Sequence, residues 1–69
     1  MPVIHVNVLR GRSAEVLRTL AAGLTQATVE ALGVRPEQVR VLVHEVEPQH
    51  WFVGGAALGA PTPESNQNG

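Results

Sequence analysis

The chain has 69 residues, a formal net charge of −1, and neither cysteine nor tyrosine. Every basic residue is arginine, every acidic residue is glutamate, and Ser13 and Ser65 are the only serines. These absences exclude a thiol nucleophile, a disulfide framework, a Cys-ligated zinc site, a Schiff-base lysine and a Ser-His-Asp triad, and the near-neutral charge argues against nucleic acid as a partner.

Val3 to Leu9 is rich in β-branched residues and predicts a strand, with Ile4, Val6 and Val8 on one face and Val3, His5, Asn7 and Leu9 on the other. Pro2 stands at the strand's first position, where a missing N–H is tolerated. Arg10-Gly11-Arg12 is a short loop, and Ser13 follows as a helix N-cap, with Glu15 near the positive end of the helix dipole. Val16 stands where a glutamate would complete a capping box.

Residues 14 to 32 carry helical periodicity. Leu17, Leu20, Ala21, Leu24, Thr28, Ala31 and Leu32 form the apolar stripe, and Gly33 is the stop. Pro36-Glu37-Gln38 predicts a short helical turn, and Val39 to Val46 a second strand ended by Pro48. Strand, helix, strand in this order is a βαβ unit with parallel strands and a crossover helix, an α/β fold. Trp51-Phe52-Val53 before Gly54-Gly55 predicts a short terminal strand or hairpin arm. The expected domain is 1–58, followed by a tail over 59–69 rich in Gly, Pro, Asn and Gln.

Both faces of the second strand are apolar, and one helix covers one face. A chain this short buries only roughly 60% of its unfolded surface. Self-association is therefore the expected reinforcement. No basic stretch followed by an apolar one opens the chain, and no apolar run approaches ~18 residues. The expectation is a soluble cytoplasmic protein without membrane contact.

With lysine and aspartate gone, Met1-Pro2 offers an unusual base. A small second residue favours removal of the initiator Met, which would leave a secondary amine at the N-terminus. A free α-amino group has a reference pKa of about 7.7–8.0. One guanidinium about 8 Å away, at an effective dielectric of ~20, disfavours the protonated form by roughly 2 kcal/mol. From the residues alone, Pro2 also reads simply as the residue that opens a strand. Arg12, just past the first strand, and Arg40, in the second, suit a carboxylate or a developing enolate oxygen. Arg40 equally suits an intersubunit ion pair, and Arg12 a solvated loop. Arg10 is two residues from Arg12 and can project toward the same locus. Trp51 and Phe52 suit either the apolar wall of a pocket or a plug at an oligomer interface. His5, His44 and His50 read as packing or surface residues.

Pro2 opening a strand, Gly11-Arg12-Ser13, Val39-Arg40-Val41 and His50-Trp51-Phe52-Val53-Gly54-Gly55 together resemble the 4-oxalocrotonate tautomerase family, over residues 2 to about 58. The order and spacing of these segments carry the resemblance. It implies βαβ chains that pair into dimers, three of which make a hexamer, from one or two kinds of chain. It also implies a cofactor-independent tautomerase or isomerase for a small unsaturated 2-hydroxy/2-oxo acid such as 2-hydroxymuconate, a step in aromatic-compound breakdown. Pro2 would be the general base. Arg12 and Arg40 would bind and polarise the carboxylate substrate, with neighbouring subunits contributing, and Arg10, Trp51 and Phe52 would line it. Two other readings accompany this one: a 3-haloacrylate dehalogenase or hydratase, whose water-activating acid is here replaced by Val53, and a non-catalytic subunit of a hetero-oligomer.

Overall fold

The computed structural model describes residues 1–59. Strand β1 (Val3–Leu9) is followed by helix α1 (Ala14–Leu32), strand β2 (Arg40–Val46) and a hairpin of β3 (Phe52–Val53) and β4 (Ala56–Ala57). β1 and β2 pair in parallel from Val3 opposite Arg40 to Leu9 opposite Val46. Parallel neighbours cannot be joined by a tight turn, and α1 is the crossover that joins these two. The βαβ unit expected from the sequence is thus present.

The helix ends follow local chemistry. Ser13 adopts extended backbone, and its Oγ accepts the Val16 N–H at 3.2 Å. At the other end Gly33 takes the left-handed conformation, φ 69°, and donates its N–H to the Val29 carbonyl at 2.9 Å; glycine adopts that backbone without Cβ strain. Ser13→Ala removes the cap and should lower unfolding free energy by about 1 kcal/mol per chain, read as a shift in the denaturant midpoint with the slope unchanged. An unchanged midpoint would mean that the cap adds nothing to this helix.

The apolar stripe of α1 differs from expectation in its last turn. Leu17, Leu20, Ala21, Leu24 and Thr28 are half-buried, as are Thr25 and Val29, while Ala31 and Leu32 are exposed. At 3.6 residues per turn Ala31 and Leu32 still lie on the covered side, so their exposure belongs to the last turn of the helix and not to a change of face. β2 begins one residue later than predicted. The Val39 N–H donates to the Pro36 carbonyl (3.0 Å) as part of the 3-10 turn over Pro36–Gln38, and so is not in the strand ladder.

The sheet has two unlike faces. Ile4, Val6, Val8, Val41 and Val43 are half-buried on the α1 side. On the other side Val3 and Leu42 remain 50% and 45% exposed, beside exposed His5, Asn7 and His44. Val39, at 9% exposure, is the one buried hydrophobic residue among those described. A single chain therefore leaves an apolar sheet face in water.

A second 3-10 turn, Pro48–His50, leads into the hairpin. Gly54 and Gly55 have φ of 60° and 86°, the signs of a two-residue type I′ turn, which accounts for two glycines there. Of the expected tail, Gly59 donates its N–H to the Pro48 carbonyl at 3.1 Å, and residues 60–69 lie outside the described residues. No helix among the described residues is long and apolar enough to cross a membrane.

Candidate functional site

Pro2 is half-buried at the start of β1, and its carbonyl accepts the Arg40 N–H at 3.0 Å. This bond sets the residue carrying the guanidinium directly beside the chain's N-terminal end. The Arg40 side chain is held in turn, because its Nη1 donates to the Glu37 carbonyl at 2.8 Å. One donor anchors the group, and the remaining donors of its planar fork have no partner among the described residues.

Arg12 is anchored in the same manner at the other end of the sheet. Its Nη1 donates to the Leu9 carbonyl at 3.0 Å, again three residues back. Gly11, at φ 133°, makes the turn that carries the chain from β1 to Arg12. Each guanidinium is thus steadied by a backbone carbonyl rather than by a carboxylate, so neither positive charge is neutralised. Sequence reading missed both anchors; the three-residue spacing was visible, but not the loop geometry that makes it useful.

Arg10, expected to line the substrate, is engaged elsewhere. Its N–H donates to the Val46 carbonyl at 2.9 Å, and its guanidinium forms an ion pair with Glu47. Both contacts tie the Arg10–Arg12 loop to the end of β2. Glu47 is 37 positions from Arg10 in the chain, and the parallel register brings the two together.

The hairpin arm leaves from that same end. Trp51 is half-buried; its N–H donates to the Pro48 carbonyl at 3.2 Å and its carbonyl accepts the Leu58 N–H at 2.8 Å. Phe52 is 60% exposed and pairs with Ala57. Neighbouring residues of an extended chain face opposite ways, so Trp51 and Phe52 present to different surfaces. One wall made of both is not what this chain forms by itself.

The expected site is therefore divided. Pro2 and Arg40 lie at the N-terminal end of the two-stranded sheet; Arg12 and the base of the Trp51 arm follow its C-terminal end. A seven-residue strand rising about 3.3 Å per residue separates the ends by on the order of 20 Å. An arginine side chain does not span that. The described residues enclose no cavity, and no three or more of their His and Glu side chains are grouped to hold a metal ion.

Residues 2–61 match the family model described as "Tautomerase enzyme". A probable tautomerase of Ralstonia nicotianae is 43% identical over 60 residues, covering 87% of this chain and 86% of that protein. A probable tautomerase of Staphylococcus epidermidis is 38% identical over 55 residues, covering 80% and 90%. Among solved structures, TomN, a 4-oxalocrotonate tautomerase homologue of the tomaymycin biosynthetic pathway, superposes with a TM-score of 0.81 at 46% identity, covering 83% of this chain and 88% of that one. A heterohexamer 4-oxalocrotonate tautomerase from Chloroflexus aurantiacus gives 0.80 at 38% identity, covering 84% and 94%.

Proposed function

Since the chain belongs to the tautomerase enzyme family, we propose that it is a cofactor-independent tautomerase whose general base is the Pro2 nitrogen, freed by removal of Met1, acting on a small unsaturated 2-hydroxy/2-oxo acid. The observation that carries this reading is the 3.0 Å bond between the Pro2 carbonyl and the Arg40 N–H. It sets the residue bearing a guanidinium beside the nitrogen that removal of Met1 would turn into a secondary amine. A neighbouring positive charge disfavours the protonated amine, which is what a base working near neutral pH requires.

In 2-hydroxymuconate the neutral Pro2 nitrogen takes the 2-hydroxyl proton, and the O–H bond pair becomes enolate charge spread through the diene. Arg40 and Arg12 hold the carboxylate and steady that charge. The protonated nitrogen then delivers its proton to a distant carbon, giving the conjugated 2-oxo isomer. One O–H bond is lost and one C–H bond is formed, so the reaction is a net isomerisation. Trp51 supplies apolar surface that keeps water from the arginines and strengthens their field.

Because Arg12 and the Trp51 arm follow the far end of the sheet, each complete site is assembled from more than one copy. The assembly we propose is a hexamer of three dimers, with one or two kinds of chain. The reading is tested by ultraviolet-monitored ketonisation of 2-hydroxymuconate on protein whose intact mass shows Met1 removed. Turnover well above the buffer rate supports it. No turnover, with halide released from 3-chloroacrylate, would assign the hydrolytic chemistry of the dehalogenases instead.

A further inference from the structure

His5 and His44 take no part in the chemistry above, yet the fold brings them together. His5 lies opposite Leu42 and His44 opposite Asn7, so the two are diagonal neighbours on the sheet face that α1 leaves open. His5 Nδ1 and His44 Nε2 are 3.4 Å apart. The ring centroids are 5.7 Å apart and the planes within 10°. That centroid separation equals the nitrogen gap plus the radius of each ring. The two nitrogens therefore meet head on, with the rings edge to edge in nearly one plane rather than stacked face to face.

Head-on imidazole nitrogens accommodate one proton between them, one ring donating and the other accepting. If both rings are protonated, two N–H groups oppose each other and two like charges sit side by side. In water the rings can turn apart. Under a covering surface they cannot, and charge there also loses its hydration. Among the described residues Arg40 is the other charged residue on this face; Glu45 belongs to the α1 side by strand alternation, and His50 lies beyond the end of β2. Among the described residues nothing acidic on the face offsets a second proton.

We propose that a second copy of this chain seats on the open face, and that the His5–His44 pair makes that seating proton-dependent: firm while the pair shares one proton, released when both rings are charged. The inference rests on the assembly reading above. Half-exposed Val3 and Leu42, a single buried core residue and a site left in two halves all call for another copy as the occupant. Separated copies bind more protons than assembled ones. Association therefore strengthens as pH rises and weakens as pH falls.

Sedimentation of the full chain and of His5→Gln/His44→Gln, at about pH 8 and about pH 5, tests this across the imidazole range. The wild type should lose at least about tenfold in association constant on acidification, and the double variant should change far less. Parallel losses in the two proteins would overturn the role of the pair while leaving the assembly reading intact. A wild-type monomer at both pH values would overturn both. Should the variant fail to assemble at all, dilution calorimetry of the wild type in buffers of different ionisation enthalpy decides the matter. Proton uptake on dissociation supports the inference, and its absence overturns it.

Discussion

A chain that keeps a residue in front of Pro2 is expected to lose about 10²–10⁴-fold in kcat for ketonisation, the span of general acid–base catalysis. With Met1 in place the Pro2 nitrogen is an amide, and its lone pair is delocalised into the carbonyl. It cannot accept a proton near neutral pH. Met1 is 77% exposed, so among the described residues nothing covers it. The comparison is between the processed chain and one carrying a short uncleaved leader, each verified by intact mass and circular dichroism. Pro2→Ala is the companion variant, since it keeps a free but primary amine and should fall between the two. Full activity in the leader-bearing chain would remove Pro2 from the mechanism.

The second large effect concerns the arginines. On the proposed mechanism, Arg12→Ala and Arg40→Ala should each lower kcat/KM by about 30- to 1000-fold, roughly 2–4 kcal/mol of transition-state stabilisation, because each would remove a cation that steadies developing oxyanion charge. The division of the site adds a sharper expectation. Pro2 and Arg12 of one chain are separated by the length of β1, so the proposed site would take them from different copies. Arg12→Ala chains dissociated, mixed with leader-blocked chains and reassembled should recover part of the lost activity. Some mixed sites then pair a free Pro2 from one chain with an intact Arg12 from the other. If each chain carried a whole site, mixing would recover nothing. A loss confined to assembly, with normal turnover per assembled site, would instead assign the arginines to intersubunit ion pairs.

Much of the fold was legible because its determinants are local. The alternation over Val3–Leu9, the Ser13 cap, the stop at Gly33 and the paired glycines after Val53 each report backbone geometry within a few residues. Some boundaries were not legible there. Val39 has a strand-like side chain, but its N–H is taken by the Pro36 carbonyl. Ala31 and Leu32 keep the apolar spacing and lie on the covered side, yet are exposed in the last turn of the helix. Contacts between distant segments were not legible either: the register of β2 brings Glu47 against Arg10.

The candidate residues followed the same division. Sequence identified Pro2, Arg12, Arg40 and Trp51 as groups able to act, because their chemistry belongs to the side chain or the chain end. Their distribution over the sheet was a matter of register. Parallel pairing of Val3 with Arg40 and Leu9 with Val46 puts Pro2 beside Arg40 and sends Arg12 and the aromatic arm to the opposite end. The same register sets His5 nitrogen against His44 nitrogen across 39 positions of chain. By itself, then, the sequence determined the βαβ elements, their caps and the inventory of reactive groups, since those depend on dihedral preference, periodicity and functional-group chemistry near each residue. Only the tertiary structure decided which groups meet, because strand register is set by hydrogen bonds and burial between segments far apart in the chain.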